Sequence, residues 1–289
     1  MWPINLCHDF RYGKIMYNQL DEFVGRSLRL YGEFSQGEAS LFEQIVKPGH
    51  VVVEAGANIG AHTVHLAQLA GDKGQVWAFE PQRLVFQLLA GNVALNSLTN
   101  VRCLQKCLGD GGEKSLLVPV LDVNAVNNWG GLELGACTEG EPVEVVTVDA
   151  LDLPRCDFFK IDVEGMELKV LRGAERTVRK HRPVIYVEAD RPDKNPALFA
   201  YLRSLDYRLY WHCPPLYNPD NYFRNPENVM TVSRTKDDGS TITLQIVSYN
   251  VLCLPKGSSI RPQGFAEVAE GACSPAAVPP GNGLAPNTL

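Results

Sequence analysis

The chain has 289 residues, 45% of them hydrophobic and 21% charged, enough for one large α/β domain or two small ones. A formal net charge of −6 opposes nonspecific binding to nucleic acid or to an anionic membrane, since both need a positive field. The eight cysteines include no CxxC pair, which argues against a zinc ribbon or a thioredoxin-type site.

No basic start followed by an apolar stretch opens the chain, and no apolar run reaches the roughly 18 residues a membrane helix needs. These features predict a cytoplasmic chain with no membrane span and idle thiols.

Residues 1–45 are mixed and aromatic, with Phe10, Tyr12, Tyr17, Phe23, Tyr31 and Phe34, and predict a helical or hairpin cover. From Val51 a regular rhythm begins. Val51 to Val53 predicts a buried strand, followed by Gly56, Gly60 and a helix through Leu69. Strands are expected again at Val76–Phe79 and Val101–Leu104, with a helix between them from Leu84 to Leu95. Strands alternating with helices at this interval imply a parallel sheet with right-handed crossovers.

Leu116–Val120 and Val143–Val148 predict two extra strands around a polar loop that carries Asn128, Trp129 and Gly130. The rhythm then resumes with a strand at Phe158–Ile161, a helix from Gly165 to Lys180 and a strand at Val184–Val187. A helix at Pro196–Ser204 precedes strand-like segments at Arg208–Trp211 and Thr241–Leu254. Between those two lies an insertion rich in Pro, Asn and Tyr, whose prolines predict an ordered loop. Residues 46–256 thus form the main domain. Residues 257–289, rich in Gly, Pro, Ala and Ser, predict a disordered tail.

The strongest local signal is Val51-Val-Val-Glu54-Ala-Gly56-Ala-Asn58-Ile-Gly60, where a buried strand ends in an acid and then in glycines that open a helix. Such a turn lets a ligand approach the backbone near a helix N-terminus. The next strand ends at Glu80, 20 residues after Gly60, placed to accept hydrogen bonds from two ribose hydroxyls. A dinucleotide or S-adenosylmethionine fits a glycine turn plus a second acid. The dinucleotide pattern needs a side-chain-free position where Asn58 stands, and an acid such as Glu54 would repel a pyrophosphate. The same acid attracts a cationic amino group or sulfonium, which favours S-adenosylmethionine.

With these residues in view, the sequence resembles the FkbM family of methyltransferases. The matching stretches are Glu54-Ala-Gly-Ala-Asn-Ile-Gly60, Ala78-Phe-Glu-Pro81 and Asn92-x-x-x-Asn96. Thr147-Val-Asp-Ala-Leu151, Lys160-Ile-Asp-Val-Glu-Gly-Met-Glu167 and Val170-Leu-Arg-Gly-Ala174 follow in the family's order. The resemblance implies a class I methyltransferase Rossmann-like α/β fold, a seven-stranded, mostly parallel sheet with an inserted hairpin. It also implies S-adenosylmethionine as cofactor and methyl transfer, usually to oxygen, on a secondary metabolite, sugar or lipid headgroup. It places Gly56, Asn58 and Gly60 at the methionine end and Glu80 at the ribose. Asp110, after the third strand, is a candidate for the adenine edge or a turn residue. Glu54 stands where many methyltransferases carry Asp.

The chemistry falls to carboxylates. Asp162 and Glu164 follow one strand and Glu188 ends its neighbour, at the sheet edge where ligands of open α/β sheets lie. Asp162, Glu164 and Lys160 are therefore the catalytic candidates. One carboxylate acts as general base, several hold a divalent metal, or Glu164 and Glu167 merely cap a helix. No other metal-ligand set is assigned. Trp129, Glu188, Asn221 and Tyr222 are the candidates for the acceptor, with the insertion as a lid. His62 and His65 read as packing residues. The partner expected is a small-molecule acceptor, and the reading from another class is a non-catalytic, cofactor-binding or structural protein that retains the fold.

Overall fold

Two runs are buried at every position, Val51 to Ala55 and Phe158 to Ile161, and such runs belong to strands covered on both faces. They become neighbours at the centre of the main sheet. The computed structural model describes residues 4–131, 138–235 and 239–275. The chain opens with a hairpin, β1 (Asn5–Phe10) and β2 (Gly13–Asn18), then helices α1 (Val24–Tyr31) and α2 (Gln36–Ile45).

The sheet starts with β3 (Val51–Ala55), α3 (Ala61–Ala70), β4 (Gln75–Phe79), α4 (Arg83–Leu95) and β5 (Val101–Leu104). An excursion follows through β6 (Cys107–Leu108), β7 (Ser115–Val118) and β8 (Glu141–Val146), which form a small sheet in the order β6-β8-β7. The main sheet resumes with β9 (Phe158–Ile161), α5 (Glu167–Arg172), α6 (Glu175–His181), β10 (Val184–Glu188), α7 (Asn195–Ser204) and β11 (Tyr207–His212). A hairpin of β12 (Thr231–Thr235) and β13 (Thr241–Gln245) precedes the last strand, β14 (Asn250–Pro255).

The seven strands lie in the order β11-β14-β10-β9-β3-β4-β5, with β14 antiparallel to both of its neighbours. The order reverses between β3 and β9, so a crevice opens at their carboxyl ends. This is the class I methyltransferase arrangement, and the extra pair β7 and β8 is the expected insertion. No helix among the described residues is long and apolar enough to cross a membrane.

Residues 4–45 hold both a hairpin and helices. Two asparagines fasten the hairpin by imitating a neighbouring strand. Asn92 Oδ1 accepts from Met16 N (2.6 Å) while its Nδ2 donates to the carbonyls of Met16 and Ile59. One turn on, Asn96 makes the same pair of bonds to the backbone of Lys14.

Three expectations need correction. The single helix over Gly165–Lys180 is two, because Gly173 presses against the carbonyl of Gly109, 1.9 Å from where a Cβ would stand. Asp149 then starts α6 afresh by accepting from the backbone of Arg176 (2.9 Å) and Thr177 (2.8 Å). The expected strand over Thr241–Leu254 is also two, and the residues between β13 and β14 turn toward the crevice.

The third correction concerns the tail. Residues 266–268 pair with β11, an edge strand, and satisfy some of its free backbone groups. Trp211 N donates to Ala266 O and Val268 N to Leu209 O, both at 2.8 Å. Val268 is 4% exposed and joins the core of Phe199, Leu209 and Trp211. Composition alone does not register that partnership, and residues 276–289 lie outside the described residues. Ending the chain at Lys256 should therefore lower the melting midpoint, with burial of Val268 alone worth about 1.5 kcal/mol or more. An unchanged midpoint would show that the segment only rests on the sheet.

Candidate active site

At the crevice lies a cavity of about 470 Å³, walled by the ends of β3, β4, β9 and β10, the Trp129 loop and residues 246–250. Glu54, Gly56, Asn58, Glu80, Trp129, Lys160, Asp162, Glu164 and Glu188 all line it. The Asp162–Glu164 segment and the Trp129 loop thus face one cavity with Glu54 and Glu80.

The glycine turn is built around backbone. Gly56 N and Ala57 N donate to Phe79 O at 3.0 and 2.9 Å, tying β3 to β4. Gly56 has φ +77°, and a Cβ there would stand 1.7 Å from the carbonyl oxygen of Asp162. The absent side chain lets the carbonyl of Asp162, just after β9, pack against the turn, while Gly56 still lines the cavity. Gly60 does not line the cavity; it starts α3 with φ +89° and packs on Leu89.

Glu80 is held rigidly. Its Oε2 accepts from Asn58 N and its Oε1 from Gln82 N, both at 2.9 Å. Burial, against those two bonds, pushes its carboxyl up to about 7. Glu54 is fully buried, with Oε2 accepting from Thr63 Oγ1 at 2.6 Å and Oε1 without a partner among the described residues. Burial raises its pKa as well, while Lys160 pulls the other way.

Lys160 is 3% exposed, and its Nζ donates to Asp162 Oδ2 at 3.0 Å. Burial alone would strip its proton, but Asp162, Glu54 and Glu38 outweigh that and hold the ammonium above the usual lysine range. Glu164 pairs with Arg191 at 2.5 Å, yet burial and the nearby Asp162 push it up to about 8. Glu188 is raised well above the ordinary carboxylate range by burial, then by Asp162 and Glu164.

Sequence reasoning missed Glu38 and His62. Glu38, on α2, is buried in the cavity wall, where Ser35 Oγ (2.9 Å) and Asn250 Nδ2 (3.2 Å) donate to its Oε1. His62 Nε2 lies 3.4 Å from its Oε2. Burial would raise Glu38, but His62 and Lys160 bring it down to about 2. The position of His62, two residues past Gly60 on a helix that starts at the cavity, was the available signal. His65 is a packing residue as expected, stacked on Tyr12 with ring centroids 3.7 Å apart.

Three further candidates lie away from the cavity. Asp110 lies outside the cavity, exposed, with Oδ1 accepting from Gly112 N (3.0 Å) in a tight turn; Lys106, Cys107 and Leu108 hold the wall after β5 instead. Asn221 is 2% exposed and spends its amide within its own loop, on the backbone of Asn218 and Asn225. Tyr222 is 45% exposed and turned away, its N donating to Glu33 Oε2 at 2.9 Å. Glu33 also accepts from Arg11 and Asn218, so the insertion is pinned to the N-terminal segment. Of the loop, Leu216 reaches the cavity.

The Methyltransferase FkbM domain profile matches residues 54–209, which hold Glu54, the glycine turn, Glu80 and the whole carboxylate cluster. The chain belongs to this family. It is an S-adenosylmethionine-dependent methyltransferase. Among solved structures it is similar to methyltransferase FkbM from Methylobacillus flagellatus KT, with 18% identity, 74% of this chain and 50% of that chain covered, and a TM-score of 0.45. It is also similar to precorrin-6y C5,15-methyltransferase from Geobacter metallireducens GS-15, with 14% identity, coverage of 75% and 87%, and a TM-score of 0.45. An O-methyltransferase from Thermotoga maritima shows 11% identity, coverage of 86% and 77%, and a TM-score of 0.43. Comparison with curated proteins gives no match.

The cavity suits the family's cofactor. Glu54 Oε1 is a buried carboxylate oxygen with no hydrogen-bond donor among the described residues, which is costly unless a ligand supplies one. A cationic amino group meets that need, and two hydroxyls meet the remaining lone pairs of Glu80.

Proposed function

We propose that this FkbM-family enzyme methylates a hydroxyl of a small molecule. The observation that carries the reading is that one cavity is lined both by Glu54 and Glu80 and by Asp162, Glu164 and Glu188, whose carboxylate oxygens gather within 4.8 Å of one another, with Lys160 donating to Asp162. In this reading Glu54 holds the amino group of S-adenosylmethionine and Glu80 its ribose, while Asn58 orients Glu80 through its backbone N–H. The cofactor supplies an activated methyl group on sulfur. An alcohol must lose its proton as its oxygen takes that methyl, and Asp162 or Glu164 receives it. The O–CH₃ bond forms, the S–CH₃ bond breaks, and the proton ends on carboxylate. Trp129 and Glu188 face the acceptor. The acidic cavity and the net charge of −6 favour a neutral small molecule over nucleic acid.

The assignment of Glu80 has its own test. Its folded pKa of about 7 lies above the unfolded value, so in the apo protein it costs stability that sets in above about pH 4.5 and is complete above about 7. Its ionised form accepts from ribose hydroxyls. S-adenosylmethionine affinity should therefore rise between pH 6 and 8, with proton release at pH 6, and calorimetry in buffers of different ionisation enthalpy reads both. Glu80→Ala should weaken binding by roughly 1.5–3 kcal/mol. Affinity that ignores both pH and the substitution would remove Glu80 from the cofactor site.

A further inference from the structure

We propose that Asp162, Glu164 and Glu188 form a divalent-cation site within the cavity. The three side chains come from the end of β9, the turn that follows it and the end of β10, and each offers a carboxylate oxygen within 4.8 Å of the other two. Oxygens at that spacing fit around one small ion. An all-carboxylate donor set selects a hard cation of the magnesium or manganese kind.

A second observation points to a ligand independently. Glu188 Oε2 is shut off from solvent and has no hydrogen-bond partner among the described residues. A buried carboxylate oxygen left so costs free energy unless something positive meets it. The chain's own cations are aimed at the other two members: Lys160 engages Asp162 at 3.0 Å and Arg191 engages Glu164 at 2.5 Å. An ion among the three supplies what Glu188 lacks. It would also acidify an acceptor oxygen that coordinates it, the help an alcohol needs to lose its proton.

The test is binding of manganese(II) to the apo full-length protein, followed by electron paramagnetic resonance of the free ion and by calorimetry. One saturable site per chain is expected. Glu188→Gln and Asp162→Asn should each weaken it by about tenfold or more. Glu113→Gln, which removes an exposed acid paired with Lys169, should leave it unchanged. Circular dichroism checks that each variant folds. If Glu188→Gln does not, Asp162→Asn carries the test, since that side chain is 40% exposed. No saturable binding at millimolar manganese, or affinity unchanged in the folded variants, would overturn the site. The inference is separable from the proposed O-methylation because binding is read without turnover. A chain that takes manganese but methylates no hydroxyl keeps this site and loses that reading.

Discussion

Lys160→Met should lower stability by about 3–5 kcal/mol, because it removes the ammonium on which the buried Glu54 and Glu38 and the part-exposed Asp162 converge. For a domain of this size that is a fall in melting midpoint of roughly 6–20 °C. Methionine keeps the length and apolar stem of the side chain, so the loss reports charge rather than a cavity. The pH dependence identifies the cause. In the wild type Glu38 is depressed to about 2, so its contribution is present above the unfolded carboxylate pKa and lost as pH falls through about 2. Lys160 is raised, so its contribution is present below the unfolded lysine pKa and lost only as pH rises through its folded value. Without the ammonium, the buried acids hold their protons more tightly in the folded state than in the unfolded one. That penalty is full above their raised pKa values and vanishes below about pH 4.5. The gap between variant and wild type should therefore be wide at pH 8, narrower at pH 4, and close only as Glu38 takes up its proton near pH 2. Equal midpoints at pH 8, or a gap independent of pH, would mean that the network contributes nothing.

That network also shows what a sequence exposes and what it hides. Glu54, Glu80, Lys160, Asp162 and Glu188 could be read in advance because each sits at or beside the end of a strand in a βα rhythm. Parallel strands bring their carboxyl ends together whatever the details of packing. Glu38 has no such address. It lies on a helix before the first sheet strand and meets Lys160 and Asn250 only because α2 packs over the sheet, a contact that no local spacing encodes.

The failures have an equally local origin. Asp110 and Asn221 stand in runs of Gly, Asn, Asp and Pro, where a short polar side chain finds its own backbone before it finds a ligand. Their chemistry suited a ligand, but their neighbours in sequence had already claimed it. Tyr222 fails for another reason. The insertion is anchored by Glu33, a buried acid of the N-terminal segment, and that anchor sets which face of the loop meets the cavity. The tail was misjudged because its few apolar residues, Ile260, Phe265 and Val268, pack against elements already in place rather than making a core of their own.

Asp162→Asn should slow methyl transfer by about 10²–10⁴-fold, the usual weight of a positioned proton acceptor. The substitution keeps the shape of the side chain and retains an oxygen for Lys160 Nζ, now 3.0 Å from Asp162 Oδ2. The backbone carbonyl that packs against Gly56 is untouched, so the glycine turn and the bonds that hold Glu80 should survive. Calorimetric affinity for S-adenosylmethionine is accordingly expected to stay within about threefold, well under one hydrogen bond to a charged group. What changes is the charge available when the acceptor hydroxyl gives up its proton. A loss of kcat with cofactor affinity preserved places Asp162 in the chemical step. Glu164→Gln, measured beside it, separates the two candidates, since the residue that takes the proton should show the larger loss. Wild-type kcat in both variants would leave the carboxylates as supports of the turn after β9 and would remove the proton-transfer role from this cluster.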